Sequence, residues 1–389
     1  MAITAAHVAR APRIRLGMVG GGRGAFIGAV HRIAARLDDQ YELVAGCFSS
    51  DPDRAAASAA DLGVARSYAS FADMAAREAR RSDGIEAVAI VTPNHMHAPV
   101  AIQFLKRGIH VICDKPLTHN LAEAKKLARA AKASGVIFAL THNYTGYPMI
   151  RQAKELVDNG TLGEIRLVQV EYAQDWLAEP VEQTGQKQAD WRTDPARSGA
   201  GGATGDIGTH AFHLANFVTG LTLDTLSADL QSFVPGRRVD DNAHVLLRYT
   251  SGARGMLWCS QVAVGMENGL RLRVFGTKAG LSWEQENPNY LNVTPLGAPP
   301  YRLSRGGAGT GDCAARMTRI PPGHPEGYLE GFANIYAEAA RAIIARRDGS
   351  AVDPAATFPS LREGLEGVAF VNACVRSSAK NAAWVKLAL

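Results

Sequence analysis

Residues 14–28 read IRLGMVGGGRGAFIG. An apolar run, Ile14 to Val19, meets three glycines, Gly20, Gly21 and Gly22. After Arg23, Gly24 and Ala25, a helical pattern opens at Phe26-Ile27-Gly28 and continues to Leu37. The glycines permit a tight turn and close approach of the backbone to a pyrophosphate. The helix start adds free amides and a favourable dipole. A glycine motif alone is weak evidence, but one that follows a strand and opens a helix carries weight.

The pattern continues outward as a strand–helix alternation. Residues 41–48 form a second strand, and Asp51-Pro52 suit the cap and first turn of a helix running to Asp61. Apolar strands follow at 85–91, 110–113 and 136–142, with helices near 99–107 and 120–133 between them. Continuous apolar strands separated by helices indicate βαβ units and a parallel sheet covered on both faces. The pattern changes after residue 143. A helix at 148–158 precedes an alternating strand at 164–174. The stretch SGAGGATGDIG, 198–208, leads into a helix at 209–219. Strands at 224–234, 242–250, 253–264, 270–275 and 280–284 point to a largely antiparallel sheet. Residues 286–327 read as a Pro- and Gly-rich loop, and helices at 328–346 and 360–378 close the chain. The expected fold is an α/β Rossmann domain, 1–141, with a doubly wound parallel sheet. An α+β domain follows over 142–389, with a large, mostly antiparallel open-faced sheet.

Composition excludes several classes. The 389 residues are 47% hydrophobic and 20% charged, which suits two globular cores. The 42 basic and 37 acidic residues are scattered, so nucleic acid is not an expected partner. No apolar run reaches about 18 residues, so no membrane span is expected. The opening MAITAAHVARAPR lacks an apolar core and reads as a ragged tail, from which a cytoplasmic location is expected. The five cysteines, Cys47, Cys113, Cys259, Cys313 and Cys374, are far apart and have no metal-type spacing, so no metal is expected.

Candidate chemistry lies at strand ends. The second strand usually ends in an acid that holds the ribose hydroxyls of NAD. Here that place falls on Ser49, with Ser50 and Arg54 beside it. Arg54 suits a 2′-phosphate and Asp51 opposes one, so NAD is the expected cofactor and NADP stays open. Asp114-Lys115-Pro116 directly follows a parallel strand, where Lys115 can polarise a substrate oxygen. Asp206 and His210 sit where the glycine-rich stretch enters a helix, four residues apart and able to share a face. Oxidising an alcohol needs a proton acceptor, and histidine suits that role.

Together, Gly20–Gly28, Thr92-Pro93-Asn94 with His97, Asp114-Lys115-Pro116 and Gly202 through His210 resemble the glucose-fructose oxidoreductase, inositol 2-dehydrogenase and MocA family. The resemblance covers nearly the whole chain. It implies an NAD(P)-dependent oxidoreductase acting on CH–OH groups, with Lys115, Asp206 and His210 catalytic. Cofactor contacts are implied at Gly20, Gly22, Arg23, Ala25, Phe26, Ile27, Ser49, Ser50, Arg54, Thr92, Pro93, Asn94, His97, Asp114 and Lys115. The chain departs from the family at Asp114 for glutamate, His213 for aspartate, Ser49 for the ribose acid, and the extra turn residues Arg23-Gly24-Ala25. Arg23 is expected to help neutralise the pyrophosphate.

The closest family likeness is to sugar and cyclitol dehydrogenases, such as those acting on scyllo-inositol or free hexoses. A polyol pocket wants neutral donors, acceptors and aromatic faces. Asn143 and Tyr144, which follow the last Rossmann strand, lead the candidates. Tyr172, Trp191, Arg192 and His324 join Lys115, Asp206 and His210. His142 and Arg151 are also candidates, whereas His31 reads as packed. The expected reaction oxidises a secondary ring hydroxyl to a ketone or lactone. Competing readings are a glycosidase using tightly held NAD for transient oxidation, and a dinucleotide-binding sensor without chemistry. The resemblance also implies a homodimer or homotetramer.

Overall fold

A computed structural model describes residues 12–389, and the tail through residue 11 lies outside them. Its first half runs β1 (Ile14–Gly20), α1 (Phe26–Leu37), β2 (Tyr41–Cys47), α2 (Pro52–Asp61), β3 (Arg66–Ser67), α3 (Phe71–Glu78), β4 (Ala87–Val91), α4 (His97–Leu105), β5 (His110–Cys113), α5 (Leu121–Ser134) and β6 (Phe138–Leu140). These strands form one parallel sheet in the order β3-β2-β1-β4-β5-β6. The order reverses between β1 and β4, which opens a crevice at the carboxyl ends of the strands. Every residue of β4 is buried, which explains why it reads as an unbroken apolar run. The Asp51 side chain accepts a hydrogen bond from the Arg54 amide at 2.9 Å and caps α2, with Pro52 in its first turn. Asn120 caps α5 in the same way.

The second half begins with α6 (Pro148–Asp158) and β7 (Ile165–Ala173). A lobe follows with α7 (Lys187–Arg192) and α8 (Pro195–Ser198). A single wide π turn, Thr204–Gly208, then leads into α9 (Thr209–Thr219). Next come β8 (Leu223–Gln231), β9 (Asn242–Tyr249), β10 (Arg254–Ser260), β11 (Gly269–Gly276), β12 (Ala279–Glu284), β13 (Tyr290–Pro295) and β14 (Tyr301–Ser304). The chain ends with α10 (Asp312–Ala315), α11 (Tyr328–Arg347), α12 (Leu361–Ser378) and β15 (Val385–Lys386). Nine strands form the second sheet, β14-β13-β12-β11-β7-β10-β9-β8-β15. Only the β7–β10 pair within it is parallel.

One face of that sheet packs Val168, Val170, Val245, Leu247 and Leu272 against Ile150 of α6, Leu214 and Val218 of α9, and Phe370 of α12. On the other face Leu167, Leu246, Met256 and Phe275 are exposed. This one-sided burial produces the in–out alternation of β9. The loop expected over 286–327 is corrected: it holds β13, β14 and α10. Those elements are short and flanked by Pro and Gly, so periodicity gave no signal. Likewise β3 and α3 escaped the sequence reading.

Late in the chain, α11 returns to the first sheet. Its Phe332, Tyr336, Ala339, Ala340 and Ile343 pack with Ile14, Leu16, Met18 and Ile112. Burying each large side chain there contributes roughly 1.5–3 kcal/mol. His31 is fully buried in this layer, with Nδ1 2.8 Å from the Tyr336 hydroxyl.

Candidate active site

At the carboxyl ends of β1, β2, β4 and β5 lies a cleft of about 660 Å3. Its floor is the glycine turn. Gly20 has φ +83°, and a Cβ there would lie 2.7 Å from the Val91 carbonyl oxygen. A Cβ on Gly28 would lie 2.4 Å from the Gly21 Cα, so it is Gly28 that lets α1 seat against the turn. No side chain caps α1 and no acid stands in its first turn. Its leading amides therefore face the cleft without a capping partner, as an anion site requires. Thr92 Oγ1, in the same cleft, is buried without a protein partner. A turn that only glycine fits, an uncapped helix start and this orphaned hydroxyl suit a dinucleotide.

Gly20, Gly22, Arg23, Ala25, Ile27, Ser49, Ser50 and Arg54 line one part of the cleft. Thr92, Pro93, Asn94, Asp114, Lys115, Trp191, Arg192 and Asp206 also line it. Two of the cofactor contacts expected from the sequence do not, and neither does His210. Phe26 is 67% exposed and points its ring to solvent, because it starts α1 on the side away from the sheet. His97 is fully buried, with Nδ1 2.8 Å from the Pro116 carbonyl and Nε2 2.9 Å from that of Thr92. It ties two cleft loops together from behind. Arg23 is not aimed alone at the cleft, because its guanidinium pairs with Asp61 at 2.5 and 2.8 Å.

The end formed by Ser49, Ser50 and Arg54 has no carboxylate in the cleft, since Asp51 is engaged in capping α2. The Arg54 guanidinium has no partner among the described residues. Ser49→Asp should therefore weaken NADPH binding about tenfold, the effect of one nearby like charge, and leave NADH binding almost unchanged. Fluorescence titration of both nucleotides reads the difference. Equal affinity changes for the two would sink the assignment of this end.

At the other end stands an ionic cluster. Lys115 Nζ donates to the Asp206 carbonyl at 2.7 Å and to its Oδ1 at 2.8 Å. Asp206 Oδ2 accepts from Gln261 Nε2 at 2.9 Å and lies 3.3 Å from Arg192 Nε. Burial alone would raise the Asp206 carboxyl, but the charges of Lys115 and Arg192 hold it well below the usual range. Four residues on, His210 is buried, with its ring 4.8 Å from Tyr144 and 6.2 Å from Tyr172. Burial, reinforced by the charge of Lys115, pushes His210 far down, so its imidazole is neutral and free to accept a proton. Asp206 thus bonds to Lys115, ninety-one residues away, rather than to His210 on the next turn.

Asp114 packs beneath Lys115. Its Oδ1 accepts from Thr141 Oγ1 at 2.9 Å and lies 3.6 Å from His31 Nε2. Burial works to raise this carboxyl, but the contact with His31 and the charge of Lys115 bring it down to about 2. Asn143, Tyr144 and Tyr172 lie behind the cleft, all buried. The hydroxyls of Tyr144 and Tyr172 are 2.5 Å apart, and Tyr172 donates to Asn268 Oδ1 at 2.7 Å. His324 is not brought to this cleft. It lines a separate cavity of about 510 Å3 with Tyr290 and Tyr328, because buried Arg305 and Glu326 anchor its loop there. Gln261 and Asn268 were missed in the sequence. Gln261 follows β10 and Asn268 precedes β11, both as ordinary polar residues that no local pattern marks.

The family description "Oxidoreductase family, NAD-binding Rossmann fold" matches residues 14–142, and "GFO/IDH/MocA C-terminal domain" matches 150–282. An uncharacterised oxidoreductase, YfiI, of Bacillus subtilis is 35% identical over 379 residues, covering 96% of each chain. A crystal structure of an oxidoreductase from Sinorhizobium meliloti shares 60% identity at a TM-score of 0.89, covering 97% of this chain and 100% of that one. An inositol dehydrogenase homologue from Azotobacter vinelandii, complexed with NADH and myo-inositol, shares 37% identity at 0.89, covering 97% and 98%. Among the described residues, no helix is long and apolar enough to cross a membrane. Fold, nucleotide cradle and these matches agree: the chain belongs to the GFO/IDH/MocA family of NAD-binding oxidoreductases.

Proposed function

We propose that the protein is a dehydrogenase that oxidises a secondary ring hydroxyl of a cyclitol or sugar to the ketone or lactone. The observation that carries this reading is the Lys115–Asp206 pair at the end of the dinucleotide cleft, beside the neutral, buried His210. Relatives named myo-inositol 2-dehydrogenase and levoglucosan dehydrogenase, 29% and 27% identical, support the substrate class.

NAD, when bound, takes up the electron pair of the carbinol C–H bond. The chain's own residues do the remaining work. His210 accepts the hydroxyl proton at Nε2, since its Nδ1 is buried. The Lys115 ammonium stabilises the developing alkoxide in a site with little water. Asp206 holds Lys115 in place and accepts from a second ring hydroxyl. Trp191, with the Arg192 guanidinium 4.3 Å over its ring, closes one side and keeps water out. Asn143, Tyr144 and Tyr172 supply neutral hydrogen-bonding groups behind the ring.

A panel of myo-inositol, scyllo-inositol, glucose and levoglucosan, offered with NAD, tests this through the near-ultraviolet absorbance of NADH. Net NADH formation with one or more supports the reading. Hydrolysis of glycosides without NADH release, or no reaction with any, removes it. We also propose that the exposed sheet face around Leu246 and Met256 pairs subunits into a homodimer or homotetramer. A monomer mass by light scattering would remove that proposal.

A further inference from the structure

Behind the Lys115–Asp206 pair, three imidazoles adjoin in the interior. They are His142, just after β6, and His210 and His213 on α9. All three are more than nine-tenths buried. His142 meets His210 edge-on at 5.3 Å and stacks on His213 at 4.2 Å, with the planes 16° apart. His142 Nδ1, His210 Nδ1 and His213 Nε2 are buried without any protein partner.

Leaving one such atom unsatisfied costs about 1–3 kcal/mol. Neighbouring orphans of this kind are met by interior water, which needs a polar setting. The three rings line a polar seam that suits such water, behind the reacting end of the cleft. α12 packs on α9 through the stacked rings of Phe370 and Phe212, 4.3 Å apart, and Glu363 stands in the first turn of α12. Its Oε2 accepts from the Ser360 amide and hydroxyl at 2.8 and 2.6 Å, and the residue is partly exposed. The charges of Glu363 and His213 act on one another.

Each oxidised hydroxyl frees one proton, which cannot stay on His210. There an imidazolium would be buried beside Lys115, with only Asp206 and Asp114 as nearby counter-charges. His142 feels His213, His210 and Lys115, and His213 feels Glu363 and Arg151. Among the described residues, Glu363 is the carboxylate whose charge acts on His213.

We propose that His142 and His213 are the proton exit of this enzyme. They hand the proton that His210 takes from substrate, through interior water, to Glu363 and on to bulk solvent. The substrate O–H bond breaks and an N–H bond forms at His210 Nε2. His210 then releases a proton from Nδ1 to water, and each following ring takes a proton on one nitrogen while giving one from the other. Each ring is left in its other tautomer and is reset by rotation of the ring before the next turnover, and the C–H electron pair goes to NAD, which is thereby reduced. This rests on His210 being the acceptor. His142 and His213 are positioning and relay residues that need not touch substrate.

The test uses full-length enzyme, NAD and the fastest polyol of the panel above. His213→Phe keeps a stacked ring and removes both nitrogens. His213→Ala opens space for a small base. The expected result is a kcat about tenfold or more lower in each, with KM and NADH affinity near wild type. The solvent deuterium effect on kcat should rise in both, and added imidazole should restore His213→Ala but not His213→Phe. Glu363→Gln, on a partly exposed helix turn, should lower kcat in the same sense. Wild-type kcat in His213→Phe overturns the proposal. So does a loss in both variants that imidazole leaves unrestored with the deuterium effect unchanged, since that is a packing defect. If His210→Ala still turns over, the acceptor reading fails instead, and the relay falls with it.

Discussion

His210→Ala and Lys115→Ala each lower turnover by about 10²–10⁴-fold while the folded state survives. The two losses have different causes. His210 packs its ring on Tyr144, Tyr172 and His142, and its removal takes away the base. Lys115 removal takes away the charge that favours alkoxide, an effect of about 10²–10³ for one well-placed donor. Lys115→Arg should recover little. The ammonium donates to both the Asp206 carbonyl and Oδ1 within 2.8 Å, and a planar guanidinium cannot occupy that point. Steady-state rates, with circular dichroism as the folding control, read both effects. Near-wild-type turnover in His210→Ala and Lys115→Ala would falsify the role assignment.

Asp206→Ala is expected to cost about 3 kcal/mol of stability as well as turnover. The carboxylate is the shared partner of Lys115, Arg192 and Gln261, and all three ionic side chains are less than a quarter exposed. Without it two cations face each other across a poorly solvated gap. The pH dependence follows from the direction of the shift. In the folded chain the Asp206 carboxyl titrates below its unfolded value. Its contribution is therefore full above about pH 4, where the unfolded carboxyl is ionised, and is lost as pH falls toward the folded value. Denaturant unfolding of wild type and variant should show a gap at neutral pH that closes in acid. A gap that is absent, or constant across that range, would mean that the cleft water already screens the two cations.

The parts of the chain that could be read from sequence are those governed by local rules. The glycine turn, α6 and α9 fall where periodicity put them, because strand, turn and helix are short-range patterns. Pairings across the fold could not be read. Asp206 and His210 share a local motif, yet the carboxylate bonds to Lys115 from another sheet, and no spacing rule reaches across that separation. Arg23 looked like a free cation beside a phosphate, but Asp61 claims it from α2. His324 looked like a pocket residue, and the buried Arg305–Glu326 pair holds it at a different cavity. Gln261 gave no signal at all, since a glutamine after a strand is unremarkable until the π turn is folded beside it.

The return of α11 to the first sheet bears on how the chain is made. The face of β1 and β5 that carries Ile14, Leu16, Met18 and Ile112 is sealed by residues of α11, which leave the ribosome long after β6. Until then the nucleotide-binding half carries a bare greasy side, so it is not a detachable cassette. A fragment ending after β6 would keep its glycine turn and lose its roof. During translation that side stays open to chaperones or to its neighbours until α11 is made.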